Sequence, residues 1–196
     1  MTLSLRDATA GVLTAPSPHG LWELRSRLLE AGVPVGDPVW GIVGEFHKFL
    51  DELGTRSSSR EYSQLASKLD ISAVGGVVVE QLLEPEDPAE TSMRLLSALL
   101  SEGLMVLATR QHVKAWEGEL SAVYRGAAWY LYGELWHWAA GLNPDLSTAD
   151  RRRLLDRLLS PAVSAETDGT TKAVLLGLLF QVLLLHHLSP HLAEAS

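Results

Sequence analysis

Apolar residues recur at helical spacing along most of the chain, and short Pro-, Gly- and Ser-containing stretches interrupt them. The interruptions fall at Pro16–Ser17–Pro18, Val33–Pro34–Val35–Gly36, 54–59, 84–88, Asn143–Pro144 and 161–169, where that composition favours turns. The stretch 20–31 places Leu21, Leu24, Leu28 and Leu29 on one face, with Gly32 as a natural C-terminal stop. Asp37–Pro38 reads as an N-cap followed by proline in the first turn. The helix after it aligns Val39, Ile42, Val43, Phe46, Phe49, Leu50 and Leu53 and ends at Gly54. Ser58 with Glu61 fits a capping box for a short helix through Leu69, and Asp87–Pro88 repeats the cap-plus-proline signature. Ser147 with Asp150 caps a charged helix through Leu159.

No proline occurs from Ala89 to Leu142. One helix of that length is unusual in a small domain, so the spacing predicts two, with a break within 109–118 where polarity rises. Alternating strand patterns are absent, and Val77–Val78–Val79 is the only local strand signal. The elements predict an all-α fold, a single-domain bundle of about eight helices, with a central aromatic helix at 115–141 and an apolar C-terminal helix at 170–187. The divisions expected within this compact domain are N-terminal helices and linker at 1–36, a three-helix segment at 37–84, and a helical bundle at 88–196.

The aromatic helix carries the densest pattern. At about 100° per residue, Leu120, Tyr124, Ala127, Leu131, Leu135 and Trp138 form one apolar stripe. Trp129, Tyr132 and Trp136 lie on a second face, and Ala115, Ala122, Gly126, Gly133 and Ala140 form a line of small residues. A glycine inside a helix costs about 1 kcal/mol relative to alanine, so Gly126 and Gly133 on one line predict the close approach of another backbone. Two readings fit this helix: a wide core contacted on several sides, or an interface between copies built on Trp129, Tyr132, Trp136, Gly126 and Gly133. The six tryptophans of the chain add weight to the second, since aromatics are enriched at interfaces.

Length and composition bound the rest. At 196 residues, with 46% hydrophobic and 20% charged residues, the chain is globular and buries a core of its own without metal or disulfide staples. It has no cysteine, which excludes thiolate zinc sites, iron–sulfur clusters and cysteine nucleophiles. Without a signal-peptide pattern in 1–16, a cytoplasmic location is the expectation. The apolar run 173–185 covers about 20 Å as a helix, short of a hydrocarbon core of about 30 Å, so it reads as a buried helix and no membrane partner is expected. The net charge of −8 opposes broad attraction to nucleic acid or anionic lipid.

Residues 62–83 read YSQLASKLDISAVGGVVVEQLL. Ala66 is the small residue where two helices would meet, Leu65, Leu69 and Ile71 would pack inward, and Ser72 would open a second helix. In these features the segment resembles the helix-turn-helix superfamily. The resemblance implies a DNA-binding transcriptional regulator in which Arg56, Arg60, Lys68 and Gln81 touch nucleic acid and the C-terminal part dimerises or binds a ligand. Asp70 stands where that pattern has glycine, and the second helix, 73–83, has Glu80 and Gln81 but no Arg or Lys. Base and phosphate contacts rest mostly on Arg, Lys, Asn and Gln, so the residues favour a structural helix pair over DNA reading.

Glu134-x-x-His137 has the spacing of carboxylate-bundle metal helices, with side chains about 60° apart. A diiron site of that kind needs a second such pair, which the sequence lacks; Glu45, Glu102, Glu117 or Glu119 are the conceivable partners. His186, His187 and His191 near the end of the apolar helix suit the negative end of a helix dipole. Arg151–Arg152–Arg153 with Arg157 forms the one dense basic run, interspersed with Asp145, Asp150 and Asp156 at helical spacing. It fits a solvated helix face, or a patch for phosphate or an acidic partner. Nucleotide-binding glycine loops and serine-hydrolase elbows are not signalled. The expectation is a non-catalytic, self-associating helical interaction protein with no cofactor and with another protein or copy as partner. A DNA-binding regulator and a Glu/His metal enzyme are the alternatives.

Overall fold

The computed structural model describes residues 3–54, 121–142, 144–163 and 169–194. Their regular structure is entirely α-helical, in six helices: α1 (Leu5–Thr14), α2 (Pro18–Glu30), α3 (Pro38–Gly54), α4 (Ser121–Leu142), α5 (Thr148–Val163) and α6 (Gly169–Glu194). The segment 55–120 lies outside the described residues. It holds the helix-turn-helix-like stretch 62–83, the cap signatures at Ser58 and Asp87, and the start of the helix expected at 115.

Local chemistry sets the helix ends. Ser4 accepts from the Asp7 N–H at 3.1 Å while the Asp7 carboxylate accepts from the Ser4 N–H at 3.2 Å, a reciprocal capping box that opens α1. Ser17 accepts from the Gly20 N–H at 3.0 Å, and Pro18 occupies the first turn of α2. Gly32 ends the helix at φ +72°. Its N–H donates to the Leu29 carbonyl, and the Val33 N–H donates to that of Leu28. Val33 is buried with Leu28, which completes a Schellman motif. Asp37 caps α3 by accepting from the Val39 N–H at 2.9 Å, and Ser147 caps α5 through the Asp150 N–H at 3.2 Å.

The α3 face from Val39 to Leu53 is buried at every position that its spacing predicts. In α2, Leu21, Leu24 and Leu28 are fully buried, but Leu29 is 61% exposed. It lies about 100° around the helix from Leu28, past the edge of the apolar arc.

Among the described residues, the helix most fully enclosed is α6. Every described side chain from Leu175 to Leu185 is buried, and α1, α3, α4 and α5 all pack against it. Leu175–Ala193 is long and apolar enough to cross a membrane, and 72% of that window is buried inside the structure. Phe180 sits at the centre, stacked on Phe46 of α3 at 5.0 Å between ring centroids and facing Phe49 at 5.5 Å and Tyr130 of α4 at 6.2 Å. Gln181 interrupts the apolar run for a local reason: its buried amide donates to the Leu13 carbonyl at 3.0 Å and satisfies an end of α1.

The last helix extends past the expected stop at 187, through Pro190, to Glu194. Proline has no N–H for the His186 carbonyl. The Ser189 hydroxyl donates to that carbonyl at 2.8 Å instead.

Phe180→Ala removes the ring on which α3 and α4 converge, and truncations of this kind cost about 3–5 kcal/mol. Urea denaturation should give a midpoint lowered accordingly; a loss under about 1 kcal/mol would show that Phe180 is not the packing centre.

Candidate functional site

Helix α4 is divided by its environment. Tyr124, Ala127, Leu131, Leu135 and Trp138, the predicted apolar stripe, are buried against the rest of the structure. At about 100° per residue, Ala122, Gly126, Trp129, Gly133 and Ala140 fall within roughly 40° of one line on the other side. Ala122, Gly126, Trp129 and Gly133 are exposed, Trp129 by 82% of its surface. A Cβ built at Gly126 or Gly133 would meet nothing within 4 Å among the described residues beyond the helix's own neighbouring backbone. The close backbone approach that these glycines predict is therefore not made by the described residues. Trp129 belongs with the glycines on this line.

Tyr132 and Trp136 have a different setting. Both are half-buried, their rings stack at 6.3 Å, and the Arg151 guanidinium lies 4.9 Å above the Trp136 ring. Such a contact holds the cation by attraction to the ring face. Of the basic run, Arg151 is thus committed to Trp136, and Arg153 pairs with Asp150 at 3.2 Å. Arg152 is exposed, and Arg157 belongs to the same helix. The run is split between a structural contact and a solvated face. Arg56, Arg60, Lys68 and Gln81 lie outside the described residues.

Glu134 is half-buried and His137 is exposed. No group of three or more side chains placed to hold a metal ion forms among the described residues. Glu102, Glu117 and Glu119 lie outside the described residues, and Glu134 borders a polar seam where α3, α4 and α6 meet. Burial, with Glu134 and then Glu45, raises the Tyr130 phenol above its ordinary range, so it remains a protonated donor. Its oxygen fits against Gly41, where a Cβ would lie 2.8 Å away.

Farther along the seam, the His191 Nε2 meets the Asp37 Oδ2 at 2.8 Å, and both side chains are largely buried. Asp37 therefore caps α3 with one oxygen and holds the end of α6 with the other. His186 and His187 touch edge to face at 5.1 Å, and Trp138 lies edge-on to His186 at 6.4 Å. Burial, aided by His187, pushes the His186 imidazole down to about 4. Burial lowers His187 as well, partly offset by Glu134 and Asp37. His186 is thus uncharged near neutral pH and does not act as the cationic helix-end residue that its position suggested.

A groove of about 250 Å³ opens between α3 and α4, lined by Glu45, Lys48, Phe49 and Glu52 on one side and Ala122, Val123, Gly126 and Ala127 on the other. Among the described residues its charged groups, Glu45, Lys48 and Glu52, all come from α3, and the α4 side is apolar or small. Comparison with known proteins finds no matching family model, curated protein or solved structure.

The fit of Tyr130 against Gly41 yields a paired test. Gly41→Ala should lower stability by about 1–3 kcal/mol through overpacking, and Tyr130→Phe in the same chain should recover much of that loss. Equal losses in both backgrounds, measured by thermal unfolding, would show that the phenol oxygen is not what restricts position 41.

Proposed function

We propose that this chain is a non-catalytic helical interaction protein that self-associates through the outward face of α4. The reading extends to a single bundle of about eight helices working in the cytoplasm, as the periodicity and the cysteine-free composition suggest. The observation that carries it is Trp129, 82% exposed and standing between Gly126 and Gly133, whose faces are open among the described residues. A tryptophan offers a large apolar surface to a partner, and such residues are common at the energetic centre of interfaces.

The geometry suits a second copy. A two-fold axis presents the same tryptophan and the same glycines from each side, so each ring can enter the notch of the other. The glycines weaken the isolated helix, and a close helix–helix contact gives them a use.

Sedimentation velocity over a concentration series tests this directly. The unmodified chain should associate at or below about 100 μM, and Trp129→Ala should weaken association by about 30-fold, as a hot-spot loss of about 2 kcal/mol implies. Gly126→Ala and Gly133→Ala should each stabilise the fold by about 1 kcal/mol while weakening association. A strict monomer at that concentration, or unchanged association in Trp129→Ala, overturns the proposal.

A further inference from the structure

The C-terminal turns of α6 combine three features that no other described part of the molecule brings together. The first is a weakened helix ladder. Pro190 supplies no N–H to the His186 carbonyl, and only the Ser189 hydroxyl, at 2.8 Å, takes its place. The second is a tether. His191, just past the proline, is held to Asp37 of α3 at 2.8 Å, and Leu192 beside it is buried. The third is a pair of adjoining, half-buried imidazoles, His186 and His187, four and three residues before the proline, at 5.1 Å between ring centroids, with Trp138 edge-on to His186.

We propose that Ser189–Glu194 is an acid-released latch, closed while His186 and His187 are uncharged and hinged open at Pro190 when they take up protons. His187 and His191 are one helical turn apart and both face Asp37, whose carboxylate favours a charged His187 while burial opposes it more strongly. Glu134 of α4 is the other acid acting on His187. Among the described residues no carboxylate acts on His186: the charge that does is that of His187, and Trp138 is a further ring neighbour. On α5, Arg151 is turned onto Trp136 and Arg153 onto Asp150. A proton on His186 therefore meets a cationic neighbour and little water. Lifting the covering turn restores that water and separates His191 from the pair.

The direction follows from proton binding. His186 holds its proton less readily in the closed form, at about 4, than when open to solvent, near its ordinary 6.5. The closed form thus has its full advantage above that ordinary value and loses it as pH falls toward 4. Opening exposes Leu192, which is buried in the closed form.

Hydrogen exchange of the full chain, read by mass spectrometry and corrected for intrinsic rates, tests the latch. Between about pH 7.5 and about pH 5, protection of 189–194 should fall about tenfold or more while that of 173–185 holds. The double variant His186→Gln/His187→Gln should stay protected at the lower pH. Pro190→Ala, which restores the missing backbone bond, should open less than the unmodified chain. Unchanged protection of 189–194, its loss together with 173–185, equal opening in the double variant, or equal opening in Pro190→Ala would each overturn the proposal.

Discussion

The enclosure of α6 is the constraint on which the rest of the structure depends. A helix apolar on every side cannot leave any face to water, so it holds together only when neighbours cover all of them. From Ala173 to Leu185 this helix has no charged residue, and α1, α3, α4 and α5 supply the cover. Phe180 sets how two of them arrive. Its ring stacks nearly parallel to Phe46, and Phe49 and Tyr130 close around it. The contacts of Phe46 with Phe180 and of Asp37 with His191 run α3 antiparallel to α6. Those of Tyr130 with Phe180 and of Trp138 with His186 run α4 parallel to it.

Several polar groups that enter this packing meet a partner on another element or turn. Gln181 spends its amide on a carbonyl that the end of α1 leaves free. Ser189 does the same for the carbonyl stranded by Pro190. Asp37 caps one helix and anchors another. The histidine pair differs, since its burial is tolerable only while the rings are neutral. Among the described residues, the seam that joins three helices thus holds the two histidines whose burial opposes their charged form.

The two sides of α4 express opposite requirements. Its apolar stripe completes the cover over α6, and its other side carries Trp129 between two glycines that nothing described contacts. Internal packing explains the first side fully. The second gains a physical purpose when another helix lies against it, and the proposed self-association supplies one. Tyr132 and Trp136 serve the border between the two, where Arg151 from α5 covers the Trp136 ring.

Much of the secondary structure was legible because it depends on residues within one helical turn. The buried positions of α3, the apolar stripe of α4, the Asp37 and Ser147 caps and the Gly32 stop all follow from local spacing. The short helix α1 carries the same kind of signal in Ser4 and Asp7, although its apolar pattern is too brief to stand out. Leu29 misled because periodicity marks an arc without saying how wide the neighbour's cover is. The last helix outran its expected end at 187 and passes through Pro190, where the Ser189 hydroxyl takes up the carbonyl that proline leaves without a donor.

The sequence by itself determined the all-helical class and most of the faces that the described helices bury. Among the described residues, tertiary structure alone decided that α6 is covered by four helices, that Glu134 lies near His187 and Tyr130, and that Trp129 shares an open side with the glycines. The reason is range. Caps and periodicity act between residues a few positions apart, whereas Leu13 with Gln181, Asp37 with His191 and Gly41 with Tyr130 meet only after the helices have packed.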